Sequence, residues 1–260
     1  MEVNLQITIW SWNVNGLRAA INKGFIEIVK KEQPDILGIQ ETKLQEHQIP
    51  EELKALNDYL FYWSHGTRKG YSGTGLFTKL LPLSLDTEFG NPEFDCEGRI
   101  NIAEYTKFIY FNIYFPNGQK DDERLNYKLR FYDRCLEVME AKRATGKTIL
   151  IGGDFNTAHH PIDLANPKEN EKTSGFLPIE RAWLSKIEEM GWVDTFRHFD
   201  QSPEQYTWWS YRTKARPRNV GWRLDYFWVN RECLKHIKKA GIRQDIEGSD
   251  HCPVYVELEI

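Results

Sequence analysis

The 260-residue chain lacks several features that would assign a function class at once. Its four cysteines, Cys96, Cys135, Cys233 and Cys252, show no CxxC or paired spacing, so neither a zinc site nor a disulfide framework is expected. No apolar run approaches the roughly 20 residues needed to cross a bilayer. The start, MEVNLQITIW, has neither the basic residues nor the long apolar stretch of a signal peptide. A cytoplasmic protein without membrane association is expected. There is no serine in a nucleophile elbow and no Gly-rich phosphate loop. No repeat, low-complexity tract or Pro/Ser-rich linker divides the chain, so residues 1–260 read as a single domain. The formal net charge of −4 argues against indiscriminate binding of polyanions, although it leaves a local basic patch open.

What is present is an ordinary globular composition, 40% hydrophobic and 28% charged, with enough apolar material for a core. Strand-like runs, short and rich in β-branched or aromatic residues, recur at Ile7–Val14, Ile36–Gln40, Thr74–Thr78, Ile100–Tyr105, Phe108–Tyr114, Thr148–Gly152, Leu224–Val229 and Val254–Leu258. Helical spacing predicts helices over Gly24–Glu32, Arg124–Arg143 and Glu180–Met190. Some strands follow one another as hairpins and others are separated by helices. That mixture points to an α/β fold with mixed sheets.

Read together, the strand ends form a pattern. The first strand ends in Asn13 and Asn15, the second in Glu41. Later ones run into Tyr114 and Asn117, and into Asp154 and Asn156. Asp225 opens the next to last, and Asp250 and His251 precede the final strand. Asn and Asp make turns wherever strands stop. Six strands delivering carboxylates, amides and a histidine also make a catalytic rim on a rigid scaffold. Such an oxygen-rich set suits Mg²⁺ or Mn²⁺, with phosphate completing the metal shell. Metal-assisted phosphodiester hydrolysis is the chemistry this inventory supports.

A second signal is the segment Gln205–Leu224. It holds Arg212, Lys214, Arg216, Arg218 and Arg223 and no acid, interleaved with Tyr206, Trp208, Trp209, Tyr211 and Trp222. Cations serve phosphates and aromatic faces serve sugars and bases. Arg18 and Lys23, and the Arg68–Gly73 loop with Tyr71, add further candidates for phosphate contact on separate loops.

In order, "SWNVNGLRA", "QETK", "KGYSG", "YFPNG", "GDFNTAHHPIDL", "SGFLPIERAWL", "WWSYRTKARPRNVGWRLDYF" and "GSDHCP" resemble the exonuclease III family of apurinic/apyrimidinic endonucleases. The resemblance implies a four-layer, DNase I-like α/β sandwich, with two mixed β-sheets packed face to face and flanked by helices. It implies a monomeric base-excision-repair enzyme that cuts duplex DNA 5′ to abasic sites and trims damaged 3′ ends. Glu41 would be the principal metal ligand. Asn15, at a position where relatives often carry Asp, and Asp250 would assist it. Asp154 would orient or deprotonate the attacking water, and Asn13 would position Asp154. Asn156, Tyr114 and Asn117 would contact the phosphate. His251, fixed by Asp225, would donate to a phosphate oxygen. Trp208, Trp222 and Leu224 would line a pocket for the flipped abasic sugar. Arg212 stands where some relatives place an apolar wedge. A phosphodiesterase for another substrate and a catalytically dead DNA binder remain alternatives, and incision at uracil or damaged nucleotides is left open.

Overall fold

The structure, a computed structural model, describes residues 5–260. Twelve strands are present among them: β1 (Gln6–Asn13), β2 (Ile36–Gln40), β3 (Leu60–Ser64), β4 (Thr74–Thr78), β5 (Ser84–Asp86), β6 (Ile100–Glu104), β7 (Phe108–Tyr114), β8 (Thr148–Asp154), β9 (Trp192–Asp194), β10 (Asp225–Asn230), β11 (Ile237–Ile242) and β12 (Val254–Glu259). They form two six-stranded sheets, ordered β11-β12-β1-β2-β4-β3 and β5-β6-β7-β8-β10-β9. Each sheet has one parallel pair, β1 with β2 and β7 with β8, and antiparallel pairs elsewhere. The expected mixed sheets are therefore observed.

Three cores separate four layers. Ile7, Ile9, Leu76, Tyr110, Leu150, Phe227, Val256 and Leu258 fill the space between the sheets. Trp12, Phe25, Val29, Leu37 and Phe77 join the first sheet to the helix Phe25–Glu32. Phe111, Ile151, Phe131, Leu136, Leu184 and Ile187 join the second sheet to the helices Asp122–Arg143 and Pro178–Glu189. All three helices follow the spacing read from the sequence, with ends moved by a residue or two. The long one starts earlier because the Asp121 carboxylate accepts from the Arg124 amide as an N-cap.

Toward one end the space between the sheets turns polar. The Gln40 amide donates to Ser11 Oγ at 2.9 Å and to Asn112 Oδ1 at 2.6 Å, and Asn112 in turn donates to Asn101 and to the Gly75 carbonyl. Gly38 makes room for this network: a Cβ there would lie 2.5 Å from the Tyr110 hydroxyl.

The four strands without a clear sequence signal, β3, β5, β9 and β11, are the four sheet edges. Two have only three residues, and β11 carries two exposed lysines. Short and charged edges resist pairing with another chain, and the same features weaken the alternation that marks a strand.

Candidate active site

The topology explains why the polar strand ends meet. In both sheets the central parallel strands point the same way, so β1, β2, β7 and β8 all stop at one rim, with Asn13 opposite Gln40 and Tyr114 opposite Asp154. Antiparallel β10 starts there with Asp225 in register with Asp154. Strand β12 also starts there, with Val254 opposite Ser11, which brings the preceding His251 to the rim. Asn15, Glu41 and Asn156 take left-handed backbone angles, with φ of 46°, 54° and 52°. This conformation costs a non-glycine residue roughly 1–2 kcal/mol and is held here by the packing around each strand end.

The side chains form one hydrogen-bonded set. Asn13 Nδ2 donates to both Glu41 Oε1 and Asp154 Oδ2, each at 2.9 Å. The Asp154 carboxylate also accepts from the Asn156 backbone amide at 2.8 Å and from Asn156 Nδ2 at 3.2 Å. Asn117 Nδ2 reaches Asn156 Oδ1 at 3.1 Å. His251 Nδ1 sits 2.8 Å from Asp225 Oδ2, while Nε2 faces Asp154 Oδ2 at 3.9 Å. Asp154, Asp225 and His251 are all buried.

Burial alone would lower the pKa of the His251 ring, but the Asp225 and Asp154 carboxylates outweigh it and hold the ring in its imidazolium form. Burial pushes the Asp154 carboxyl up, opposed by the His251 charge. Burial also opposes ionisation of Glu41; the Lys43 ammonium and the Asn13 hydrogen bond outweigh it, and the net shift is downward. Tyr114 is pushed well above its ordinary value by burial and by the Glu41 charge, so it acts as a neutral hydroxyl.

Among the described residues three groups of side chains have metal-ligand chemistry, of which His159, His160 and Glu188 lie outside the cavity lining. Asp154, Asp225 and His251 converge, but the imidazolium already places a cation between the two carboxylates. Glu41 and Asn15 fit a hard divalent cation better. Lys43 Nζ pairs with Glu41 Oε2 at 3.0 Å and also hydrogen-bonds to Asn15 Oδ1. An ammonium drawn to both oxygens marks a position of negative potential where oxygen ligands suit Mg²⁺ or Mn²⁺. Asp250 lies beyond Asn15 and accepts from its Nδ2 at 2.9 Å.

A cavity of about 450 Å³ opens over this set. Glu41, Tyr114, Asp154, Asn156 and His251 line it together with Trp208, Trp222 and Leu224. Two grooves flank it. One, lined by Arg68, Tyr71, Lys120 and Arg124, shares Asn117 and Gln119 with the cavity. The other, lined by Lys23, Tyr211 and Lys214, shares Ser210 and Ala215 with it. Arg18, Lys23, Arg212, Lys214 and Arg218 are exposed.

Two expected DNA cations are held by acceptors within the protein. Arg216 donates to the carbonyls of Ser249, Gln244 and Ile246 and lies over the Trp209 ring. Three of its five N–H donors are occupied within the protein, and the half-buried side chain also lines the groove of Lys23 and Lys214. Arg223 is fully buried between Asp163 and Asp194, so it belongs to the core and not to the basic patch. His159 is likewise structural, buried against Ser185 and kept uncharged by that burial.

Residues 10–251 match the endonuclease/exonuclease/phosphatase family. The chain belongs to that family. It is 41% identical over 253 residues to the exodeoxyribonuclease of Bacillus subtilis (strain 168), covering 96% of this chain and 98% of that one. It is 40% identical over 258 residues to the DNA-(apurinic or apyrimidinic site) endonuclease of Dictyostelium discoideum, covering 98% and 71%. Among solved structures, the APE2 catalytic domain of Xenopus laevis superposes with a TM-score of 0.86 at 29% identity, covering 98% of this chain and 93% of that one.

The endonuclease/exonuclease/phosphatase site also relies on residues that sequence reasoning missed. Lys43 was quoted within "QETK" but assigned no role. Buried Arg99 donates to the Tyr114 carbonyl and the Tyr71 hydroxyl, its guanidinium 4.5 Å over the Tyr114 ring. Lys128 and Glu180 form a fully buried ion pair, and Lys128 also holds the Asn156 carbonyl at 2.7 Å. A charge deep in an amphipathic helix carries no local mark of its target. Its one signal is a lysine on a stripe otherwise occupied by Phe131, Tyr132, Cys135 and Leu136.

Proposed function

We propose that this chain is a DNA-repair nuclease that hydrolyses the phosphodiester 5′ to an abasic site in duplex DNA, leaving a 3′-hydroxyl and a 5′-deoxyribose phosphate. The observation that carries the reading is the shared cavity: hydrolytic groups and the apolar Trp208, Trp222 and Leu224 line one space, and two grooves with cationic residues join it. An acidic cluster facing a polyanion has no purpose in simple binding, because it repels phosphate unless a cation intervenes. The apolar wall suits a sugar without its base, and a missing base makes flipping out of the stack cheaper.

In this reading Asp154 accepts the proton of the attacking water, held in line by Asn13 and Asn156. The His251 imidazolium donates through Nε2 to a phosphate oxygen as charge builds at phosphorus, with Asp225 fixing the ring. Tyr114 and Asn117 place further donors at the phosphate. Glu41 and Asn15 would hold Mg²⁺, or Mn²⁺ in its place, which would supply neutralisation of the charge that builds during hydrolysis. The chain acts as a single-domain monomer, and trimming of damaged 3′ ends uses the same groups.

The test is cleavage of a labelled duplex carrying one abasic-site analogue, with Mg²⁺ and with EDTA, beside undamaged and uracil-containing duplexes. Mg²⁺-dependent incision 5′ to the lesion is expected. Equal cutting of all three duplexes, or none of any, refutes the proposal.

A further inference from the structure

Asp250 stands where a metal-assisting carboxylate was expected, yet its surroundings assign it another task. Both of its oxygens already face donors. Oδ1 accepts from Asn15 Nδ2 at 2.9 Å and from Ser249 Oγ at 3.2 Å, and Oδ2 accepts from the indole Nε1 of Trp208 at 3.1 Å. The orientation of the Asn15 amide is fixed by its neighbours. Lys43 can only donate and therefore faces Oδ1; ionised Asp250 can only accept and therefore faces Nδ2. An aspartate at position 15 would offer oxygen on both sides, and a cation could bridge it to Asp250. Asn15 offers oxygen toward Glu41 and Lys43 and a proton donor toward Asp250.

The other end of this chain of hydrogen bonds is the apolar wall. Trp208 is half-buried and meets Trp222 edge to face, with ring centroids 6.4 Å apart. The backbones of the two tryptophans exchange hydrogen bonds, and Trp209 N donates to the Asp250 carbonyl at 2.9 Å. Backbone pairing holds the strand segment, but the indole ring can still turn about its side-chain torsions. The bond from Nε1 to Asp250 is a charge-assisted contact that stops it.

We propose that Asp250 is a positioning residue for substrate selection: it locks the Trp208 indole as one wall of the cavity, and the cation is held by Glu41 and Asn15 without it. The inference rests on the abasic-site reading above, and one of its readouts does not depend on that reading.

The experiment compares wild type, Asp250→Asn, Trp208→Phe and the double variant. Mn²⁺ affinity is measured without DNA by electron paramagnetic resonance. The indole ¹H–¹⁵N cross-peak of Trp208, assigned by its loss in Trp208→Phe, is followed in Asp250→Asn. Incision kcat/KM is measured on the abasic-analogue duplex and on undamaged duplex. The Trp208 cross-peak should move in Asp250→Asn, and Mn²⁺ affinity should fall less than in a Glu41→Gln control, because Asp250 reaches the cation only through Asn15. Each single variant should narrow the preference for the abasic duplex about tenfold, mainly through KM, and the double variant should be no worse than either single one. Mn²⁺ binding weakened in Asp250→Asn as much as in Glu41→Gln, an unmoved indole cross-peak, or additive losses in the double variant would overturn the proposal. If wild type failed to incise the abasic duplex, the function reading would fall, while the cross-peak and the Mn²⁺ titration would still decide the role of Asp250. Trp208→Phe keeps an aromatic ring, so it tests the same bond if Asp250→Asn does not fold.

Discussion

Replacing Asp225 by Asn removes one charge and leaves the shape of the site nearly intact. The buried carboxylate lies 2.8 Å from His251 Nδ1, and the ring is pushed up to about 10 by its two carboxylate neighbours. A unit charge at about 4 Å, with an effective dielectric constant near 20, contributes about 4 kcal/mol. Removing it lowers the ring pKa by about three, to roughly 7. The sign follows: a raised pKa keeps the imidazolium through pH 9 in wild type, and its loss converts the ring to neutral imidazole as pH rises through 7. Single-turnover incision of the abasic-analogue duplex, measured from pH 5.5 to 9.5, should therefore fall above pH 7 in Asp225→Asn. At pH 8, one unit above that value, about a tenth of the rings stay charged and the loss should be about tenfold, growing toward the roughly 10²–10³-fold cost of one oxyanion donor as pH approaches 9.5. NMR of ¹³C-labelled histidine reports the ring titration directly. A variant with the wild-type pH profile and turnover within twofold would refute the imidazolium role of His251.

Other outcomes test separate parts of the site. Glu41→Gln should weaken Mn²⁺ binding at least tenfold and leave the circular dichroism spectrum and melting temperature close to wild type. Replacing Lys23 and Lys214 together by Ala should lower the slope of log affinity against log salt by about 1.8, since each phosphate contact contributes about 0.9. The same measurement on Arg216→Ala should leave the slope unchanged and lower the melting temperature, because that side chain holds Ser249, Gln244 and Ile246. Asp163→Asn should destabilise the fold by about 3–5 kcal/mol near pH 7, as it uncovers the buried charges of Arg197 and Arg223. Burial opposes ionisation of Asp163, but Arg223 and Arg197 hold its pKa well below the usual carboxylate range. Its contribution is thus fully present above the unfolded value of about 4 and fades as pH falls below it. Urea unfolding of both proteins should show a difference that shrinks between pH 5 and pH 2; a constant difference would remove the charge from the argument.

The inner strands were legible because burial on both faces demands continuous apolar runs, as in Ile36–Gln40 and Phe108–Tyr114. The edge strands β3, β5, β9 and β11 were not, because an edge is shaped by the need to avoid pairing. The catalytic rim was legible for a related reason. Asn13, Glu41, Tyr114, Asp154 and Asp225 each lie at an end of an apolar run, and a polar side chain at that position reads as a site once several coincide.

The chemical inventory was already plain in the order of residues: carboxylates, amides and one histidine at strand ends, and a segment rich in cations and tryptophan. It carried no information on which way each side chain turns, because orientation depends on partners that lie far along the chain. The assembled fold set the partners of Arg216 and Arg223, since their acceptors come from residues 244–249 and from Asp163 and Asp194. It also placed Lys43 between Glu41 and Asn15, and Lys128 beneath Asn156. Asp250 shows the division most clearly. Its place beside His251 is local and was visible in six letters. Its partners, Asn15 at 235 positions away and Trp208 at 42, meet it because β12 returns beside β1 and the Trp208 segment bridges to His251.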